Sequence, residues 1–314
     1  MTRTPVSLFV RFLYGLVLAA ALAPALADAQ LTPVRIGPGV YVVYGDTGAA
    51  SYDNDALTVN IGFVVTSAGV AVIDSGPSYR VAQMLDQAIQ RITSNTIKYV
   101  INTGPEPARW LGNAYFRKQG IPVIAHDEAR RVMAAEGEAQ LQAMRRLLKE
   151  KAAGTELALP QGFSGSTQEV RFSDTTLQLS YFGPTASAGT IGVWLPRSRT
   201  VFAGAIMQAG VLPALTAGGQ LDNWIAAFDN LAALQPAQIV PGRGETGDLA
   251  RMSADTRAYL LALRDEAAQA RAAGAEAPAR LAKSKKLEEF QRLKGYPELA
   301  PGNRAEALRQ VEPR

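Results

Sequence analysis

INTGPEPARWLGNAYF, residues 101–116, begins on the last residue of an apolar strand, IKYVI at 97–101, crosses a polar turn and enters a helix near Arg109–Lys118. The same strand–turn–helix order precedes it. VAVID at 70–74 ends in the turn DSGPS, after which the apolar period changes and Val81, Leu85, Ile89 and Ile92 form one helical stripe over 79–92. PVIAH at 122–126 supplies the next strand, and 127–152 reads as helix, in one piece or in two interrupted at Gly137. Strands alternating with helices in this way predict an α/β layer.

Outward from this layer the chain turns to hairpins. VYVVY at 40–44 and IGFVV at 61–65 flank a polar loop on the N-terminal side. EVRF at 169–172, TLQLSYF at 176–182, IGVWL at 191–195 and TVFAG at 200–204 follow the loop at 154–166. A helix near Asp222–Leu234, a strand at 237–240 and a helical tail from Leu249 complete the second half. The tail is expected to break at 274–278, continue as a charged helix over 280–293 and end in a short helix after Pro301. Two sheet-rich halves without a low-complexity linker predict one α+β sandwich covered by helices over 31–314. The alternative is two domains cut near Gly162.

Composition narrows the chemistry. The 314 residues include no Cys and one His, which excludes disulfide scaffolds, iron–sulfur clusters, cysteine nucleophiles and any multi-histidine metal site. Residues 1–29 carry Arg3 and Arg11, an apolar run from Phe12 to Ala23, and small residues at 25, 27 and 29. This pattern predicts a secretory signal peptide cleaved after Ala27 or Ala29, hence a periplasmic or secreted protein without a stable membrane span. The net charge of +4 is too small and too dispersed to indicate nucleic acid. The basic run Lys283, Lys285 and Lys286 beside Arg280 reads as a solvated helix face.

Four further segments punctuate the chain in order: VAVIDSGPS at 70–78, GPTASAGTIGVWLP at 183–196, TVFAGAIM at 200–207 and IVPGRG at 239–244. With 101–116 they resemble the metallo-β-lactamase-fold hydrolase superfamily, most of all its exported branch associated with sulfur-oxidation or quinoprotein systems. The resemblance covers about residues 31–314. It implies a four-layer αββα sandwich with a site at the edge between the sheets, where family hydrolases hold one or two zinc ions. It also implies that the metal-ligand positions of this chain are Gly104, Glu106, Ala108, Arg109, Ala186, Ala205 and Arg243, and that Asp74 orients the metal-binding loop.

Those residues do not suit a metal. Glycine and alanine offer no donor, a guanidinium has no lone pair to give, and Glu106 with Asp74 cannot build a tetrahedral zinc site. No cofactor is therefore expected. If the fold is kept, Asp74, Glu106, Arg109 and Arg243 converge as two carboxylates and two guanidiniums. They are expected either to pair and hold the loops together, or to leave one arginine for a carboxylate, sulfate or phosphate of a small ligand.

Other residues read more plainly. His126 suits a helix start or a surface position, and Ser75 or Ser78 a helix cap. Asp53, Asn54, Asp55 and Asn60 lack the spacing of a calcium loop and fit turns. Tyr52 and Phe63 are candidates for the pocket mouth, and Trp110 for packing beneath the loop or, if exposed, for stacking on a ligand. The glycine clusters at 37–39, 218–219 and 242–244 match no phosphate-binding loop. These observations predict an exported, metal-free binding or accessory protein acting on a small anionic ligand or a periplasmic protein. The alternative is a metal-independent hydrolase with Glu106 as acid or base and Arg109 or Arg243 as anion stabiliser.

Overall fold

The computed structural model describes residues 30–311; the predicted signal peptide lies outside them. Seven strands form the first sheet in chain order: Val34–Gly37 (β1), Val40–Val43 (β2), Ile61–Thr66 (β3), Gly69–Ile73 (β4), Ile97–Ile101 (β5), Val123–His126 (β6) and Gln161–Phe163 (β7). The first four pair antiparallel, as the hairpin signals require. From β4 onward the pairing is parallel, because each connection passes through a helix and returns. The second sheet runs Gln238–Val240 (β12), Thr200–Phe202 (β11), Ile191–Leu195 (β10), Thr176–Tyr181 (β9) and Thr167–Arg171 (β8), with only β11 and β12 parallel.

The sheets face each other across one apolar layer. Val42, Val64, Ile73 and Ile101 from the first meet Leu177, Leu179, Ile191 and Val193 from the second. The outer face of the first sheet is covered by Tyr79–Gln90 (α1) and Asn113–Lys118 (α3), whose Val81, Leu85, Ile89 and Phe116 are buried. The outer face of the second sheet is covered by Leu221–Ala233 (α5) and Ala258–Arg271 (α7), through Trp224, Phe228, Leu260 and Leu263. The order helix, sheet, sheet, helix is the αββα sandwich expected from sequence. Ile92, assigned to the α1 stripe, lies beyond the helix end and is exposed.

Two helical boundaries differ from the sequence reading, and a third settles an alternative it left open. Asp127–Leu148 (α4) runs unbroken through Gly137 and ends in a 3₁₀ turn, Lys149–Ala152. Gly137 is there for space, since a Cβ would sit 3.1 Å from the Trp110 ring. The charged helix expected over 280–293 is instead Ala277–Ala282, Lys285–Glu288 and a 3₁₀ turn, Glu289–Arg292, because the Ser284 hydroxyl accepts from Leu287 N–H and starts a new helix. The last helix starts earlier, at Tyr296, and carries Pro301 inside it up to Gln310. Among the described residues, no helix is long and apolar enough to cross a membrane.

All the strand ends that matter for the site lie at one edge of the sandwich, where β4, β5, β11 and β12 run into loops. Gly112, after the short helix Pro107–Trp110 (α2), locks two of these loops together: its N–H donates to Gly76, and a Cβ on it would lie 2.2 Å from the Ser75 carbonyl oxygen. Gly112→Ala should therefore displace the turn after β4 and cost about 1–3 kcal/mol of unfolding free energy, the usual range for overpacking. Chemical denaturation monitored by circular dichroism measures it, and an unchanged midpoint would refute the contact.

Candidate functional site

Strand β4 ends at Asp74, a non-glycine residue at φ 61° in the left-handed region. Asp tolerates that region better than most residues, and the surroundings hold it there. Its N–H donates to Ile101 O, and its carboxylate takes three donors: Thr103 N–H at 2.6 Å, Thr103 Oγ1 at 2.7 Å and Arg109 Nη1 at 2.8 Å. Burial pushes the Asp74 carboxyl up, opposed by the Arg109 charge and the two Thr103 hydrogen bonds. Every neighbour presented to it is a donor, one of them a cation, so the group stands as a carboxylate.

Arg109, on α2, is 2% exposed. Besides Asp74, its Nη1 reaches Thr103 Oγ1 at 3.1 Å, and its Nε donates to Glu106 Oε2 at 2.9 Å. Glu106 carries the link onward, because its Oε1 accepts from Ser187 Oγ at 2.8 Å in the loop between β9 and β10. One guanidinium thus ties together the loops after β4, β5 and β9. Burial alone disfavours its charge, but Asp74 and then Glu106 outweigh that penalty and raise its pKa above the ordinary arginine value.

Glycines give this cluster its room. A Cβ on Gly104 would lie 2.4 Å from Glu106 Oε2, and one on Gly242 would lie 2.8 Å from Arg109 Nη2. Gly104 read from sequence as a lost metal donor; in the fold its missing side chain is what lets Glu106 reach Arg109. Ala108, Ala186 and Ala205 are buried apolar residues, the first against α1 and α3, the other two in the layer beneath α5.

Of the two arrangements expected, Arg243 does not join the pairing. No carboxylate lies within ion-pair distance of it among the described residues; its Nη2 donates to the carbonyls of Thr47 at 2.9 Å and Gly48 at 2.7 Å. The reason lies in its turn. Asn60 donates from Nδ2 to Pro241 O and Gly244 O, and Ala209 N–H donates to Arg243 O, which sends the side chain toward the loop between β2 and β3. Its Nε is buried without a partner, as are Thr185 Oγ1 and Gln208 Oε1, on residues close in sequence to Ala186 and Ala205. Burial, then the charge of Arg109, lower the Arg243 pKa, partly offset by Asp46.

The remaining candidates are structural. Trp110 is fully buried against α4 and donates Nε1–H to Gln140 at 2.9 Å, so it presents no surface to a ligand. Phe63 is fully buried and stacks on Tyr41 at 4.8 Å, away from the pocket mouth. Tyr52 is held by Glu150 and by Lys151 Nζ, 4.1 Å from its ring. Ser75 donates to Asn113 Oδ1 at 2.8 Å, within a network that includes Asn102, while Ser78 is the residue that caps α1. Asn54 accepts from Ser51 and Ala56 N–H as a turn residue, and Asp55 pairs with Lys151 at 3.2 Å. His126 caps α4 through Nδ1 and donates Nε2–H to Gly165 O at 3.1 Å, buried rather than on the surface.

The fold and the ordered loops place the chain in a class, and the sequence comparison agrees: residues 54–243 match the model of the metallo-beta-lactamase superfamily, and the chain belongs to that superfamily. Among solved structures it is similar to a metallo-beta-lactamase from Pontibacter korlensis, at 19% identity and a TM-score of 0.61 over 74% of this chain and 99% of that one. It is also similar to TMB-1, at 18% identity and a TM-score of 0.57 over 72% of this chain and 95% of that one. The DIM-1 metallo-beta-lactamase follows at 18% identity and a TM-score of 0.54, over 72% and 94%. No curated protein matches the chain.

The zinc that this family implies does not fit the residues present. Among the described residues no three His, Cys, Asp or Glu side chains converge as a ligand set. The two carboxylates at the position are already bound to Arg109, whose fixed charge repels a cation.

Two predictions follow from this geometry. Removing Arg109 strands a buried carboxylate, so Arg109→Met should cost about 3–5 kcal/mol. Arg243→Met should cost less than half as much in the same denaturation series, because it breaks no ion pair; equal losses would refute the asymmetry. Burial lowers the His126 pKa below the ordinary imidazole value of about 6.5, so the unfolded chain binds the proton first and stability falls as pH drops below about 6.5. His126→Asn keeps an acceptor for the cap and should flatten the decline between pH 7 and 5; an unaltered slope would assign it elsewhere.

Proposed function

We propose that the protein is a metal-independent member of the metallo-β-lactamase fold, exported with cleavage of its signal peptide after Ala27 or Ala29, with a binding or accessory role in place of zinc hydrolysis. The observation that carries this reading is the Arg109 clamp. A guanidinium joins Asp74 and Glu106 as a metal would join its ligands, so the loops are held without a metal ion. Arg243, left without a carboxylate, is the group that remains for an anionic ligand. Glu106 accepts from Arg109 through one oxygen and from Ser187 through the other, which makes it a strut between loops and gives the alternative of acid–base hydrolysis no specific support.

Elemental analysis of protein purified without chelator tests the reading. Zinc far below one per chain is expected, with no hydrolytic turnover that chelation abolishes. Stoichiometric zinc with chelator-sensitive turnover would overturn it. Mass spectrometry of the exported chain should find an N-terminus at Asp28 or Gln30; an intact Met1 would refute cleavage.

A further inference from the structure

Arg243 stands at the base of a cleft of about 720 Å³, within the size range of small-molecule sites. One wall is the loop Asp46–Ala49, and the other is the segment Gln291–Leu299, which lies outside the stretch matching the superfamily. The second wall is built into the fold. Lys294 N–H donates to Gly210 O, its carbonyl accepts from Leu212 N–H, and Arg292 pairs with Asp255, which also accepts from Gly210 N–H. Lys294 Nζ then bridges the cleft to Thr47 Oγ1 at 2.7 Å.

The lining describes its occupant. Arg243 has Nε enclosed without an acceptor, and neither it nor Lys294 forms an ion pair among the described residues. Ala49, Pro297 and Leu299 supply apolar surface along the walls. Asp46, whose carboxyl is held low by Gly48 N–H and Asn54, and Glu298 also line the cleft, and both repel a second negative charge. We infer that this cleft binds a small amphiphilic monocarboxylate, its head group on Arg243 and Lys294 and its apolar body between the Asp46–Ala49 loop and the C-terminal segment. The inference rests on the proposed binding role and names its ligand class. A carboxylate on Arg243 makes the charge-assisted hydrogen bonds that the protein itself leaves unmade, and an aliphatic body covers wall surface otherwise left to water.

Calorimetric titration of the full exported chain with decanoate, decanol and sulfate tests this, with zinc content measured on the same sample. Decanoate should bind saturably, about tenfold more tightly than decanol, which lacks the charge-assisted hydrogen bonds, and about tenfold more tightly than sulfate, which lacks the apolar body and carries a second charge. Arg243→Met and, on the half-exposed wall, Leu299→Ser should each weaken decanoate about tenfold, and only Leu299→Ser should leave sulfate binding as it was. Decanoate affinity unchanged in Leu299→Ser, with its circular dichroism spectrum unchanged, would overturn the inference. Sulfate binding lost in Arg243→Met but never displaced by decanoate would overturn the ligand class while sparing the binding role. Stoichiometric zinc would bring down the underlying reading itself.

Discussion

A single buried guanidinium organises the edge of this sandwich. Loops leaving different strands need something to hold them, since each carries polar backbone and little apolar surface of its own. In a zinc hydrolase of this fold a metal could meet that need. Here Arg109 does, by facing Asp74 on one side and Glu106 on the other, with Thr103 and Ser187 completing the hydrogen bonds. The buried part of the set is one guanidinium matched to one carboxylate, Arg109 to Asp74, while Glu106 keeps contact with water, and the close approaches at Gly104 and Gly242 show how little room is left over.

This substitution of an organic cation for an inorganic one changes what the pocket can do. Zinc offers an open coordination position and activates water; Arg109 offers neither, because its charge is committed to two side chains that cannot leave. The centre is rigid, and under the proposed binding role recognition falls to Arg243 beside it. That residue is the counterpoint of Arg109: similar in chemistry and near in space, yet turned by Asn60 and the 241–244 turn toward backbone carbonyls. The C-terminal segment then walls the space beside it, so the part of the chain outside the superfamily match contributes to the same edge of the fold.

Much of the architecture was legible in the sequence because strand and helix periods are local. The strands at 97–101 and 191–195 and the start of α1 at 79 coincide with their apolar patterns. Helix boundaries set by packing were not legible. The choice between one helix and two at Gly137, left open by the sequence, is settled by Trp110 lying against α4, a contact between residues 27 positions apart. At the site, convergence of Asp74, Glu106 and Arg109 could be expected from the order of the segments, whereas the route of Arg243 could not. It is decided by Asn60, whose bonds to Pro241 and Gly244 span more than 180 positions. Asn60 read as one polar residue in a turn-rich loop, and no local signal marked it as the support of the arginine turn. Phe63, read at the pocket mouth, is buried, and Trp110 takes the packed one of its two readings; an aromatic beside a loop has the same local sequence whether it faces inward or outward.

The central claim is that Arg109 and Asp74 form one energetic unit in the place of a metal. A double-mutant cycle with Arg109→Met and Asp74→Asn measures that coupling directly. The account predicts that the double variant recovers most of the stability lost by the arginine variant alone, giving a coupling of at least about 2 kcal/mol. Losses that simply add would mean that the two side chains are independent, and would contradict it.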